Sequence, residues 1–256
     1  MRRRFIPALL LAASLFATGA HADTVKVLTS GAFKQIVLAL VPGFEARTGH
    51  TVVVSNDTAG ALARRIAEGE AFDLVVLTPA ALKALAVEGP QGKVVADTVK
   101  PLASVGIGVA VKAGAARPDI SGVEQFRQAL LQARKVAYID PAAGGSSGIY
   151  LETLFRKMGI ADAVHAKAVL VQGGFVAEKL VTGEADLAVH QISEILPVTG
   201  AELVGPIPEA VQNYTTYAGV VGRGSEHPQA AQAFLDSLSG EAAAAVLQQK
   251  GMLPAR

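Results

Sequence analysis

Short apolar runs alternate along this chain with segments whose apolar residues return every three or four positions. In 24-TVKVL-28 the run is short enough for a strand, and Phe33, Ile36, Val37, Leu40, Val41 and Phe44 then follow at helical spacing. Pro42 is expected to break or restart that helix, and Gly49 to stop it before the strand 51-TVVVS-55. A further helix and the strand 74-LVVLT-78 continue the alternation. Strand, helix, strand, helix, strand is the signature of a mostly parallel sheet flanked by helices.

The segment 101-PLASVGIGVAVKAG-114 departs from this rhythm, being long, apolar and interrupted by Gly106 and Gly108. It reads as a strand crossing from one lobe to another, or as one buried strand with a glycine bulge. A helix including 123–131, a strand 135–140, a helix 150–159, a strand 166–171, a helix 175–183 and a strand 186–191 make a second α/β unit. The stretch 203–214 reads as a loop, 215–222 as one more strand, and helices 228–239 and 241–251 close the chain. Pro228 suits a helical first turn. The economical architecture is α/β with two lobes, each a mostly parallel sheet, and a ligand cleft between them. Residues 23–104 begin the first lobe, 105–204 form the second, and 205–256 return to complete the first. One continuous doubly wound domain is the alternative.

The N-terminus combines Met1-Arg2-Arg3-Arg4, an apolar run from Phe5 to Ala17 and the small-residue end Ala20-His21-Ala22. These are the parts of a secretory signal, with cleavage expected after Ala22 and residues 1–22 removed. The apolar run is short for a membrane-spanning anchor, which needs about 20 residues, so a periplasmic protein without stable membrane insertion is expected. Cysteine is absent, which removes disulfides, thiolate ligands and cysteine nucleophiles. Signal removal takes away three arginines, leaving 20 Lys+Arg against 22 Asp+Glu and a formal charge of −2. A nucleic-acid partner would call for a concentrated basic surface.

Ser30 with Gly31, and Thr58 with Ala59, each stand just after an apolar strand and just before a helix. A hydroxyl there can donate to an anion beside free helix N–H groups, or it can simply cap the helix. The run 140-DPAAGGSSGIY-150 offers the Ser146 and Ser147 hydroxyls and the backbone of Gly148 at another helix start. It lacks the lysine of a P-loop, so it does not point to a nucleoside triphosphate. Gln172-Gly173-Gly174-Phe175 is a weaker junction of the same kind. His190, ending 186-DLAVH-190, is able to donate to an anion, act as a base or be structural. The other histidines show no ligand spacing, so no metal and no cofactor are expected. Arg64 and Arg65 are either solvated or turned toward the cleft, where they would suit a carboxylate. Tyr150, Phe175, Tyr214 and Tyr217 read as packing or hinge residues.

Four stretches carry a family resemblance: 52-VVVSNDTAGALARRIAEGEAFDLVVL-77, 146-SSGIYLETLFRKMGI-160, 183-GEADLAVHQISEILPV-198 and 228-PQAAQAFLDSLSGEAAAAVLQQKGM-252. The mature chain resembles the periplasmic molybdate-binding-protein-like family across nearly its whole length. That resemblance implies a type II solute-binding fold closing over a small anion, with an inner-membrane ABC permease as partner for a monomeric protein. It also implies Ser30 and Thr58 as first-lobe donors, and the backbone at Ser147-Gly148 and Phe175-Val176 as second-lobe donors. His190 stands where the family has a tyrosine beside the anion, and the first turn reads TSGAF rather than an alanine-rich form. The ending 192-ISEILPV-198 is similar to a branch containing periplasmic aconitate isomerase. If that likeness extends to function, cis- and trans-aconitate interconvert by proton removal and return, with His190, Arg64 and Arg65 as candidate catalytic residues.

Overall fold

Gly106 separates two sheets in the computed structural model of the protein, which describes residues 22–86, 92–95 and 98–255. Apart from Ala22, the expected signal peptide lies outside the described residues. The first lobe runs β1 (Thr24–Ser30), α1 (Gly31–Thr48), β2 (Thr51–Asp57), α2 (Ala59–Ala67), β3 (Leu74–Leu77), α3 (Pro79–Leu85) and β4 (Lys100–Val105). The second lobe contains β5 (Ile107–Lys112), α4 (Val123–Gln132), β6 (Val136–Ile139), α5 (Ser146–Lys157), α6 (Ala161–His165) and β7 (Ala168–Val171). It continues through α7 (Glu178–Val181), β8 (Leu187–Gln191), α8 (Ile192–Ile195) and β9 (Ala201–Pro206). The chain then returns to the first lobe as β10 (Thr215–Val221), α9 (Pro228–Ser237), α10 (Glu241–Gln249) and β11 (Leu253–Pro254).

Strand order is β11-β4-β10-β3-β1-β2 in the first sheet and β7-β6-β8-β5-β9 in the second. The parallel pairs expected from strand-helix alternation are there: β1 with β2 and β3, and β6 with β7 and β8. The crossing and returning strands add antiparallel pairs, β10 with β3 and β4, and β5 with β8 and β9. Both sheets are therefore mixed. Each of these antiparallel pairs includes a strand on the path between the lobes, and the terminal β11 adds one more against β4.

Each sheet is covered on both faces. In β3 the side chains alternate: Leu74 and Val76 face the core with Phe33, Ile36, Phe44 and Phe234, whereas Val75 and Leu77 face Leu62, Ile66 and Leu82. The second sheet repeats this, with Tyr138, Phe126 and Phe155 on one side and Ile139, Val176 and Leu180 on the other. Full burial of each large apolar side chain contributes roughly 1.5–3 kcal/mol.

Several boundaries differ from those expected. Pro42 does not interrupt α1, because it falls on an exposed stretch where the carbonyl of Leu38, left without a helical donor, can meet water. Helix α5 starts at Ser146, four residues early, so Ser146 and Ser147 lie in its first turn. Helix α7 is only one turn long. Part of the expected loop 203–214 is β9, held antiparallel to β5. No helix among the described residues is long and apolar enough to cross a membrane.

Candidate functional site

The carboxyl ends of β1, β2, β6 and β8 meet across a cavity of about 30 Å³. Ser30, Gly31, Asn56, Asp57, Thr58 and Tyr217 wall it from the first lobe, and Ser146, Ser147, His190, Gln191 and Glu194 from the second. Side chains and helix N–H groups leave a parallel sheet at that end, which is why open α/β sheets bind ligands there.

Two helices begin at this cavity without a side-chain cap. Ser30 ends β1 with extended backbone, and its hydroxyl makes no capping bond to α1; Oγ lies 3.4 Å from the carbonyl of Val76. Gly145 precedes α5 and has no side chain to offer. The first turns of both helices also lack acidic residues. Their unpaired N–H groups thus present the positive ends of an 18-residue and a 12-residue helix to one small space.

Thr58 behaves differently from Ser30. Its hydroxyl accepts from Ala61 N at 3.1 Å, which is ordinary capping, and donates across the cleft to the carbonyl of Ala143. Beside it, Gly60 N donates to Gly144 O at 3.1 Å. The start of α2 is therefore occupied by the facing lobe, and Thr58 acts here as a clasp.

Gln191, Tyr217 and Ser146 form a buried polar cluster. The Tyr217 hydroxyl donates to Gln191 Oε1 at 3.0 Å and accepts from Gln191 Nε2 at 2.9 Å, while Nε2 also lies 3.2 Å from Ser146 Oγ. Burial, together with the nearby Glu194 carboxyl, raises the phenol pKa well above its ordinary value. Tyr217 packs against Phe33, in keeping with a packing residue, and in addition brings a polar tip to the cavity, which was not expected.

His190 and Glu194 are both buried, with Nε2 3.3 Å from Oε2. Burial lowers the histidine pKa and raises that of the carboxyl, although the Lys34 charge opposes the second shift. The low-polarity surroundings thus favour a neutral pair in which Glu194 carries its proton. At this distance a protonated carboxyl is able to donate to Nε2, the arrangement that puts the ring proton on Nδ1. Among the described residues, Nδ1 is a buried nitrogen with no hydrogen-bond partner. Glu194 also reaches the first lobe, since a Cβ at Gly31 would stand 2.4 Å from its Oε1. The next-door Ser193 donates to Ala32 O at 2.8 Å.

No lysine or arginine lines this cavity. Arg64 is exposed, and Arg65 is held by Glu70 at 2.6 Å and by Asp57 at 3.4 Å, so neither turns toward the cavity. Leu62 and Ile66 take the inward face of α2, which leaves the arginines on another side. Arg65 also offsets the charge of Asp57. Gly148 is a packing position, its Cα so close to Ile139 O that a Cβ would stand at 2.2 Å. Val176 belongs to the second-lobe core, and Phe175 lines an adjoining cavity of about 350 Å³ with Lys34. Asn56, Asp57, Gln191 and Glu194 join the site without having been singled out. Among the described residues no group of three or more His, Asp or Glu is arranged to hold a metal.

The two mixed sheets and the cleft between them define a type II periplasmic-binding-protein fold, related to molybdate, sulfate and tungstate binders. Residues 25–253 match the bacterial extracellular solute-binding proteins, and the chain belongs to that family. An aconitate isomerase from Pseudomonas sp is 34% identical over 253 residues, covering 96% of this chain and 94% of that protein. The periplasmic molybdate-binding protein of Azotobacter vinelandii superposes with a TM-score of 0.73 at 19% identity, over 91% of this chain and 100% of its own. The sulfate-binding protein of Mycobacterium tuberculosis H37Rv gives 0.71 at 19% identity, over 91% and 87%.

Proposed function

We propose that this protein is exported by cleavage after Ala22 and, as a monomer in the periplasm, captures a small organic carboxylate between its lobes for an ABC permease. The observation that carries this reading is the convergence of two uncapped helix N-termini on one cavity with neutral donors and no cation. The Ser30, Ser146 and Ser147 hydroxyls and His190 are the side-chain donors, with Tyr217 holding Gln191 behind them; a protonated Glu194 does not repel the anion. The inner space of about 30 Å³ suits a carboxylate group, and the adjoining cavity has room for the rest of an organic acid. Molybdate and sulfate, named in the structural relatives, would use the same donors without the outer room.

Thermal melting of the dialysed chain from Asp23 onward tests this reading. Cis-aconitate, trans-aconitate and citrate are each expected to stabilise it, by about 2.7 kcal/mol at a hundredfold excess over Kd. Stabilisation by molybdate, tungstate or sulfate alone would sink it.

The His190–Glu194 pair favours a second reading, aconitate isomerase, the name carried by the Pseudomonas relative. Moving one proton across the 3.3 Å contact turns the neutral pair into imidazolium and carboxylate. Glu194 is then a base and His190 a charged donor, whereas Arg64 and Arg65 take no part. The base breaks a methylene C–H bond of aconitate, and the electron pair shifts into the adjacent double bond. The proton returns at the former vinyl carbon, with no net redox change. Proton NMR of aconitate in D2O separates the readings: methylene exchange with cis-trans interconversion marks the enzyme, and an unchanged spectrum at saturating binding marks the transporter.

A further inference from the structure

We propose that the cavity of about 350 Å³ beside the inner one is a second carboxylate subsite in which Lys34 selects di- and tricarboxylates. This rests on the reading of the inner cavity as a carboxylate site. Gly31, Asn56, Gly174 and Glu194 line both spaces, so a ligand seated in one has the other as its neighbour. Lys34 follows Gly31 by three residues on α1, which puts it on the same face of that helix one turn farther from the inner site.

The surroundings of Lys34 suit a ligand-facing cation. Its Nζ lies 6.0 Å from the centroid of the Phe175 ring, which holds the half-buried ammonium without neutralising it. Among the described residues it makes no ion pair, whereas Lys179 on the opposite wall is occupied by Glu184, 3.0 Å from both carboxyl oxygens. Glu178 also lines the cavity but is exposed to solvent, where screening weakens its opposition to an anion. Glu194 feels the charge of Lys34, which ties the two subsites electrostatically. A single carboxylate in the inner cavity leaves Lys34 unanswered. A second carboxylate on the same carbon skeleton answers it.

Calorimetric titration of wild type, Lys34→Met and Lys34→Arg with trans-aconitate and the monocarboxylate crotonate tests the assignment, with melting curves to check folding. Lys34→Met is expected to weaken trans-aconitate at least tenfold, with a loss at least fivefold greater than that for crotonate. Lys34→Arg is expected to recover most of the loss. Wild-type binding with equal losses for both acids in Lys34→Met, or with none, overturns the subsite and leaves the inner site standing. Failure of the wild type to bind either acid overturns both.

Discussion

Glu194 Oε2 lies 3.3 Å from the Nε2 of His190, four residues earlier in the chain, while Oε1 occupies the space that any side chain at position 31 would need. One carboxyl therefore meets both a second-lobe histidine and the start of a first-lobe helix. Its protonation state links ligand capture to pH. Lys34 faces it with positive charge and His190 with Nε2, and the Tyr217 hydroxyl is near.

Glu194 has its pKa raised by burial, so it keeps its proton above the ordinary carboxylate range. An anion binds best to the protonated form. Affinity is expected to hold through neutral pH and to fall as pH rises through that elevated pKa. Glu194→Gln keeps a donor toward Nε2 and removes the titration. Calorimetry from pH 6 to 9.5 checks this: the variant should lose the alkaline decline, and an identical decline in both proteins contradicts the assignment.

The two lobes meet by backbone contact at Gly60 and Gly144, with Gly60 N 3.1 Å from Gly144 O, and closure over a ligand is expected to need it. A Cβ at position 60 would meet Gly144 Cα at 2.8 Å and its carbonyl oxygen at 3.1 Å. Gly60→Ala also gains helix propensity, up to about 1 kcal/mol, so folding should not suffer. The expected result is an unchanged or higher Tm, ligand affinity reduced about tenfold, and a larger radius of gyration by X-ray scattering. Wild-type affinity in this variant would show that the clasp is dispensable.

Asp73 precedes β3 and accepts from Lys26 N at 2.8 Å, Ser225 Oγ at 2.6 Å and Glu226 N at 3.1 Å. Burial opposes its charge, but these donors prevail and the pKa lies below the usual value. Its stabilisation is present above the unfolded pKa, about 3.9, and is lost as pH falls through the lower folded value. Asp73→Asn is expected to cost about 1–3 kcal/mol at pH 7. In melting curves from pH 7 to 2.5 the gap to wild type should narrow below about pH 4. A constant gap would place the effect elsewhere.

Alternating periodicity made most of the fold legible, because strands and helices here keep clean apolar faces: Leu74 and Val76 against Val75 and Leu77, Leu62 with Ile66. Gly106 marked the crossing between sheets. Strand-to-helix turns likewise pointed to Ser30, Ser146, Ser147 and His190, which the fold brings together. Glu194 was within reach of the same reasoning, four residues after His190 in the ISE run. Tyr217 was not, since only the return of β10 between β3 and β4 carries it beneath Gln191. Arg64 and Arg65 misled because charge attracts attention to carboxylate ligands, whereas Glu70 and Asp57 already hold Arg65 on the outer side of α2. The partner of Thr58, Ala143 O, is 85 residues away and had no local signal.

Capture of a carboxylate by the His190 donor is best measured by titrating wild type and His190→Phe with trans-aconitate at pH 7, alongside melting curves of both. The expected result is saturable binding by the wild type and at least a hundredfold loss in a variant that still melts cooperatively, since the phenyl ring fills the space without a donor. Equal affinity in the two proteins would contradict the proposed site.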